Sequence, residues 1–190
     1  MKKVLVVDNY DSFTYNLVHI IEELNGYAPD VYRNDEINAQ GALAYDYIFI
    51  SPGPGIPEES GHTLDIISSC LKEKKIFGVC LGLQALTVAL GGTLVNLEKV
   101  YHGIESQMHL TDETSALFKG VPSQFQAGRY HSWVVDKDSL PKNLKISCVD
   151  DEGRIMALEH TDYPVYAVQF HPESIMTPEG KKMIQNFLEL

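Results

Sequence analysis

The sequence predicts one α/β domain: a mostly parallel central sheet, flanking helices and a small antiparallel addition. Three observations carry this reading. A length of 190 residues suits a single domain of ordinary or slightly large size. Hydrophobic residues at 44% and charged residues at 22% give the balance of a soluble globular chain able to bury a sizeable core. Short apolar runs alternate with helical stripes through the first half, as they do where strands are buried on both faces.

The elements follow in order. "KVLVV" (3–7) is a short buried strand. In "SFTYNLVHIIEELNG" the residues Phe13, Leu17, Ile20, Ile21 and Leu24 form one helical stripe, and Gly26 supplies the stop. "YIFI" (47–50) is another buried strand, and the "SPGPGIPEESG" after it predicts neither helix nor strand. A helix over 62–71, a strand "KIFGV" (75–79) and a helix "LGLQALTVAL" (81–90) stopped by Gly91 and Gly92 come next. The second half is richer in strands: 94–96, about 105–111, 124–127, 132–135, 144–149, 154–159 and 165–170. A last helix begins near Thr177 as N-cap with Pro178 in its first turn, burying Met183, Ile184, Phe187 and Leu188. No linker, repeat or low-complexity segment interrupts the chain, so the domain is 1–190.

Composition narrows the function classes. The cysteines Cys70, Cys80 and Cys148 are odd in number and widely spaced, which argues against a disulfide framework and for a reducing compartment. No CxxC or Cys/His cluster stands at zinc-ligand spacing, and no metal is expected in this chain. The apolar run in "MKKVLVVDNYDS" ends at Asp8, too soon for a signal peptide, and no later stretch approaches a membrane span. The expected location is the cytoplasm. A net charge of −11 disfavours nucleic-acid binding, which requires a basic surface.

One corner stands out. "GVCLGLQAL" (78–86) sets Cys80 between Gly78 and Gly82 where a strand meets a helix. In parallel sheets ligands bind beyond the carboxyl ends of the strands, and Cys80 sits on that edge. The pattern has the form of a nucleophile elbow with cysteine in place of serine. Its glycines allow backbones to approach, the helix N-terminus favours thiolate, and the amide of Leu81 points to where an oxyanion would form. A lone G-x-C-x-G is weak evidence, since cysteine is most often a small buried hydrophobe. Cys70 and Cys148 lack such neighbours and read as core residues.

A nucleophilic cysteine needs a base, and the base an orienting group. His171 directly follows the apolar strand "VYAVQF" on the same edge, and "HPE" places Glu173 two residues on with Pro172 stiffening the turn. Alone this is an ordinary strand-end turn; beside Cys80 it completes a Cys80–His171–Glu173 triad. "SPGPG" (51–55) reaches the same edge, and the amide of Gly53 can serve as a second oxyanion donor.

Together, "GVCLGLQ", "SPGPG" and "QFHPES" resemble the class I glutamine amidotransferases, which carry a flavodoxin-like fold, hydrolyse glutamine and pass on ammonia. "DNYDSFTYNL" (8–17) and "RYHSWVV" (129–135) are similar to the glutaminase subunits of anthranilate synthase and aminodeoxychorismate synthase. The match runs nearly end to end. Carried over by position, it implies Cys80 as nucleophile with His171 and Glu173. It also implies glutamine contacts at Gly53, Pro54, Gly55 and Gln84, with Ser132 and the Trp133 backbone at the amino-acid end. Leu83 departs from a common histidine. Ile104 in "VYHGIES" (100–106) departs from a basic residue in a loop that, by the resemblance, lies near the partner.

The resemblance also implies that this chain needs no cofactor and that a separate synthase subunit binds chorismate and magnesium. The chain itself has no room for a synthase. The product is anthranilate for tryptophan, or alternatively aminodeoxychorismate for folate, and one subunit could serve both. Two rivals stay open here. A stand-alone gamma-glutamyl hydrolase would use the same cysteine without a partner. A non-enzymatic flavodoxin-like binding module would fit Asp8 after the first strand but leaves Cys80, His171 and Glu173 unexplained.

Overall fold

Alternation along the apolar runs decides the architecture. Successive side chains of a strand point to opposite faces, and here both faces are buried. The computed structural model describes residues 2–190. In β1 (Val4–Asp8), Val4 and Val6 join one core while Leu5 and Val7 join the other. In β3 (Tyr47–Ile50) and β4 (Lys75–Val79), Phe49, Phe77 and Val79 face the first core and Ile48, Ile50 and Ile76 the second. The first core is closed by α1 (Thr14–Asn25) and α5 (Gly180–Leu188), with Leu17, Ile21, Met183 and Phe187 fully buried. The second is closed by α3 (Thr63–Cys70) and α4 (Leu81–Ala89), through Ile66, Ile67, Leu83 and Leu86.

With β2 (Asp30–Arg33) at the edge and β11 (Val165–Val168) beyond β4, the parallel strands run in the order β2-β1-β3-β4-β11. This is the flavodoxin-type order, in which the sequence of strands across the sheet reverses at β1 while all five run parallel. The antiparallel addition takes two forms. β10 (Ile155–His160), β9 (Leu144–Asp150), β6 (Ile104–Leu110) and β7 (Gln124–Arg129) continue the same sheet past β11. β5 (Leu94–Asn96) and β8 (Trp133–Val135) form a separate two-stranded ribbon.

Three local expectations change. β2 and the one-turn helix α2 (Ala39–Ala42) leave little trace in the sequence, because β2 is an edge strand with its side chains largely exposed and α2 spans a single turn capped by Asn38. Part of "SPGPGIPEESG" forms a short 3-10 turn, Pro57–Glu59. The last helix starts at Gly180 with Glu179 as N-cap, not at Thr177. The Thr177 hydroxyl is engaged elsewhere: it donates to the carbonyl of His171 at 2.7 Å and accepts from the N–H of Gly128 at 3.0 Å. It thus ties the segment after β11 to β7, and no helix N–H donates to it.

Candidate active site

The carboxyl ends of β1, β3, β4 and β11 bring the site together. Cys80 follows β4 and takes φ 52° and ψ −97°, a conformation rare for a residue with a side chain. Such strain clusters at functional positions. The flanking glycines are sterically required: a Cβ at Gly78 would lie 2.6 Å from the Gly82 carbonyl carbon, and one at Gly82 would lie 2.8 Å from the Ile50 oxygen. The elbow expected from the sequence is present.

Loop 51–55 meets this corner. A Cβ on Gly53 would sit 2.5 Å from that of Asn9 and 2.9 Å from Leu81 Cδ2, so only glycine lets the loop come so close. Neither the Gly53 nor the Leu81 amide N–H donates to a partner among the described residues, which leaves both available at the corner. Asn9 holds the loop from below. Its N–H donates to Ser51 Oγ at 2.8 Å and its amide to the Ser51 carbonyl at 2.9 Å, and its Oδ1 accepts from Asn34 and Thr63, each at 2.9 Å.

His171 and Glu173 are almost fully buried, and Glu173 Oε1 lies 2.6 Å from His171 Nδ1. Burial opposes a charged imidazole here. The Glu173 carboxylate and Cys80 together outweigh that penalty, and the His171 pKa is raised well above its ordinary value. The ring's other nitrogen, Nε2, has no hydrogen-bond partner and so is free to exchange a proton. Phe13 and Tyr130 meet the imidazole edge-on, with ring centroids 5.8 and 4.9 Å away. "DNYDSF" therefore walls the dyad. In the same loop burial raises the Asp11 pKa, although a hydrogen bond from the Phe13 N–H opposes this.

Two cavities meet at Cys80. One, of about 190 Å³, is lined by Gly53, Pro54, Gly55, Gln84, Ser132 and Trp133, every residue expected to touch a glutamine. The other, of about 440 Å³, is lined on the dyad side by Tyr10 to Phe13, His102, Tyr130 and His171. Gln84 donates from Nε2 to the Trp133 carbonyl at 3.1 Å and to Gln169 Oε1 at 3.3 Å, so its own Oε1 is left as an acceptor. Leu83, one residue earlier, is fully buried in the core beneath α4 and contributes packing. Ile104 begins β6, partly exposed, opposite Arg129.

Several site residues escaped the sequence reading. Gln169 is fully buried, and its Nε2 donates to Cys80 Sγ at 3.5 Å. Its signal was a lone amide inside "VYAVQF", where a buried polar group needs partners. Arg129 and His131 are likewise buried beside the cavity, with Arg129 Nη1 2.9 Å from Asp150 Oδ2. Tyr130, Asn9 and Asp11 lie inside "RYHSWVV" and "DNYDSFTYNL", which stand out as motifs without marking these side chains individually. Among the described residues no group of three or more His, Cys, Asp or Glu side chains could hold a metal ion.

The family model described as glutamine amidotransferase class-I matches residues 5–190. An anthranilate synthase component 2 from Saccharolobus solfataricus is 46% identical, the alignment covering 99% of this chain and 98% of that one. An aminodeoxychorismate/anthranilate synthase component 2 from Bacillus subtilis is 44% identical over 98% of this chain and 95% of its own. The bifunctional protein TrpGD of Thermotoga maritima is 43% identical over the whole of this chain, which spans 32% of that longer protein. Among solved structures, a glutamine amidotransferase from Thermotoga maritima shares the fold with a TM-score of 0.83 at 14% identity, covering 99% of this chain and 96% of that one.

Proposed function

The chain belongs to the class-I glutamine amidotransferases, and from that premise we propose that it is the glutaminase subunit of an anthranilate synthase, releasing ammonia for a separate chorismate-using subunit. The observation that carries the chemistry is the strained, glycine-flanked Cys80 beside the buried His171–Glu173 pair.

In this reading the Cys80 thiolate attacks the side-chain amide carbon of glutamine. The Leu81 and Gly53 N–H groups stabilise the oxyanion, and protonated His171 gives its Nε2 proton to the departing ammonia. His171 then takes a proton from water as that water attacks the glutamyl thioester; the C–S bond breaks, releasing glutamate and restoring the Cys80 thiolate and the protonated imidazole. Glu173 holds Nδ1 and keeps Nε2 aimed at the reacting atoms. Gln84 Oε1 suits the amide hydrogens of the substrate, and Ser132 with Trp133 suits its charged end, whose groups need partners once desolvated.

Ammonia escaping into neutral water becomes ammonium, which is no nucleophile, so a sheltered acceptor is needed. Exposed apolar side chains support a docked partner: Tyr10 and Val100 at the site, and Ile175, two residues after Glu173 and 98% exposed. Val100 and Tyr10 line the two cavities themselves. The relative from Bacillus subtilis, named for both products, supports a second reading in which aminodeoxychorismate is made as well.

The test is reconstitution with each candidate synthase in glutamine, chorismate and magnesium, following both products. Anthranilate formation with labelling of Cys80 by a glutamine-like chloroketone supports the assignment. Glutaminase activity with neither product would remove the chorismate assignment. No labelling and no hydrolysis would remove the glutaminase itself.

A further inference from the structure

Every carbonyl of the segment His131–Trp133 is already occupied. The Tyr101 N–H donates to the His131 oxygen at 2.9 Å and the Leu97 N–H to the Ser132 oxygen at 2.7 Å. The Trp133 oxygen lies 3.0 Å from His131 Nδ1 and 3.1 Å from Gln84 Nε2. Leu97–Ser132 and Thr93–Asp136 are hydrogen-bonded positions of the β5–β8 ladder, so by alternation Trp133, opposite Asn96, is not. Its N–H and C=O therefore turn away from β5, to the side where Gln84 lines the cavity. With the carbonyl taken, the N–H is what remains for a ligand.

The protonation of His131 is dictated by its neighbour. Arg129 Nε can only donate, and it lies 3.1 Å from His131 Nε2. Nε2 must accept, so the ring hydrogen is on Nδ1, where it donates to the Trp133 carbonyl. Arg129 cannot swing away: Nη1 is held by buried Asp150, and the guanidinium lies 3.6 Å from the centroid of the Tyr101 ring. Asp150 Oδ1 is itself fixed by the backbone N–H groups of Glu152 and Arg154, at 3.0 and 2.8 Å. Burial and the Arg129 charge push the His131 pKa down to about 3, which keeps the ring neutral.

We propose that His131 is a positioning residue for recognition of the amino-acid end of glutamine. Its Nδ1–H fixes the Trp133 carbonyl and so aims the Trp133 N–H at the substrate's α-carboxylate, while Arg129 and Asp150 hold His131 in the one tautomer able to do this. The inference rests on the glutaminase reading above.

Two conservative variants separate the bonds. His131→Asn places an amide where Nδ1 was and keeps the bond to Trp133. His131→Gln places it near the Nε2 position and keeps only the contact with Arg129. Steady-state glutaminase kinetics on the full chain, with glutamine and with 4-aminobutanamide (glutamine without its α-carboxylate), read the difference. His131→Gln should raise the glutamine KM about tenfold with kcat within about threefold, and lower the preference for glutamine over 4-aminobutanamide to a similar extent. His131→Asn should leave all three within about threefold. If the Gln variant does not fold, His131→Phe, which keeps a ring against Tyr101 and loses both bonds, must show the raised KM. Equal behaviour of the variants, or a loss in kcat at unchanged KM, overturns the proposal. Cys80→Ser is measured alongside: hydrolysis that survives it overturns the glutaminase site, whereas an inactive Cys80→Ser beside indistinguishable His131 variants overturns only the role of His131.

Discussion

Replacing Glu173 by glutamine removes one buried negative charge at nearly constant volume, so it isolates what the carboxylate does for His171. Glu173 Oε1 is 2.6 Å from Nδ1, and its other oxygen, Oε2, is buried without a partner. An amide in its place can turn either way. With the NH2 group toward His171, Nδ1 must accept and the ring proton moves to Nε2, the nitrogen that has to receive the thiol proton. With the oxygen toward His171 the tautomer survives but the charge is gone. A unit charge about 4 Å from the imidazolium, at an effective dielectric near 20, is worth about 4 kcal/mol, or roughly a thousandfold in rate. The assay is glutamate release across neutral and alkaline pH, with unfolding followed in parallel. The sign of the stability effect is fixed by the raised His171 pKa. In the wild type its contribution is complete below the unfolded value of about 6.5 and is lost as pH rises through the folded value. Glu173→Gln should abolish that alkaline decline along with most of kcat. A variant with wild-type turnover and an unchanged pH profile would refute the reasoning.

Three further outcomes are expected. Gln169→Leu removes both the donor to Cys80 and the acceptor for Gln84, so kcat/KM for glutamine should fall about ten- to a hundredfold with the fold intact; unchanged kinetics would make that amide a bystander. Because His131 is held neutral down to about pH 3, the chain should lose stability as pH falls from about 6.5 towards 3. His131→Asn should flatten that part of the acid unfolding curve, and an identical curve would count against it. Burial pushes the Cys70 thiol up to about 11 and that of Cys148 up to about 12. Serine at either position should therefore leave glutaminase activity and chloroketone labelling in place, and loss of labelling in a folded variant would reopen the choice of nucleophile.

Much of this was legible in the sequence because apolar periodicity and glycine sterics are local. The strands 47–50, 75–79 and 94–96 have the same bounds in sequence and structure, since each is a short apolar run closed by polar or turn residues. The Cys80 corner is legible because both glycines stand in one short stretch and Gly78 is demanded by Gly82, four residues on; that Gly82 is demanded by Ile50 on the neighbouring strand is a tertiary fact. What escaped depends on the tertiary fold. β2 is exposed at the sheet edge, so no buried run marks it. The hydroxyl of Thr177 looked like a cap but is drawn to His171 and Gly128, and Gly128 reaches it only through the antiparallel half of the sheet. Gln169 and Arg129 required knowing what lies across the sheet: a buried amide or guanidinium shows in sequence only as a polar residue in an apolar setting.

The central claim is that Cys80 is the nucleophile that frees ammonia from glutamine for a chorismate-using partner. Its most direct test is anthranilate fluorescence from the reconstituted complex carrying Cys80→Ser, with chorismate, magnesium and either glutamine or an ammonium salt at raised pH. With glutamine the signal should vanish, while ammonium should still support it, because ammonia can reach the untouched synthase from solvent. Product formed from glutamine at the wild-type rate by the Cys80→Ser complex would contradict the account.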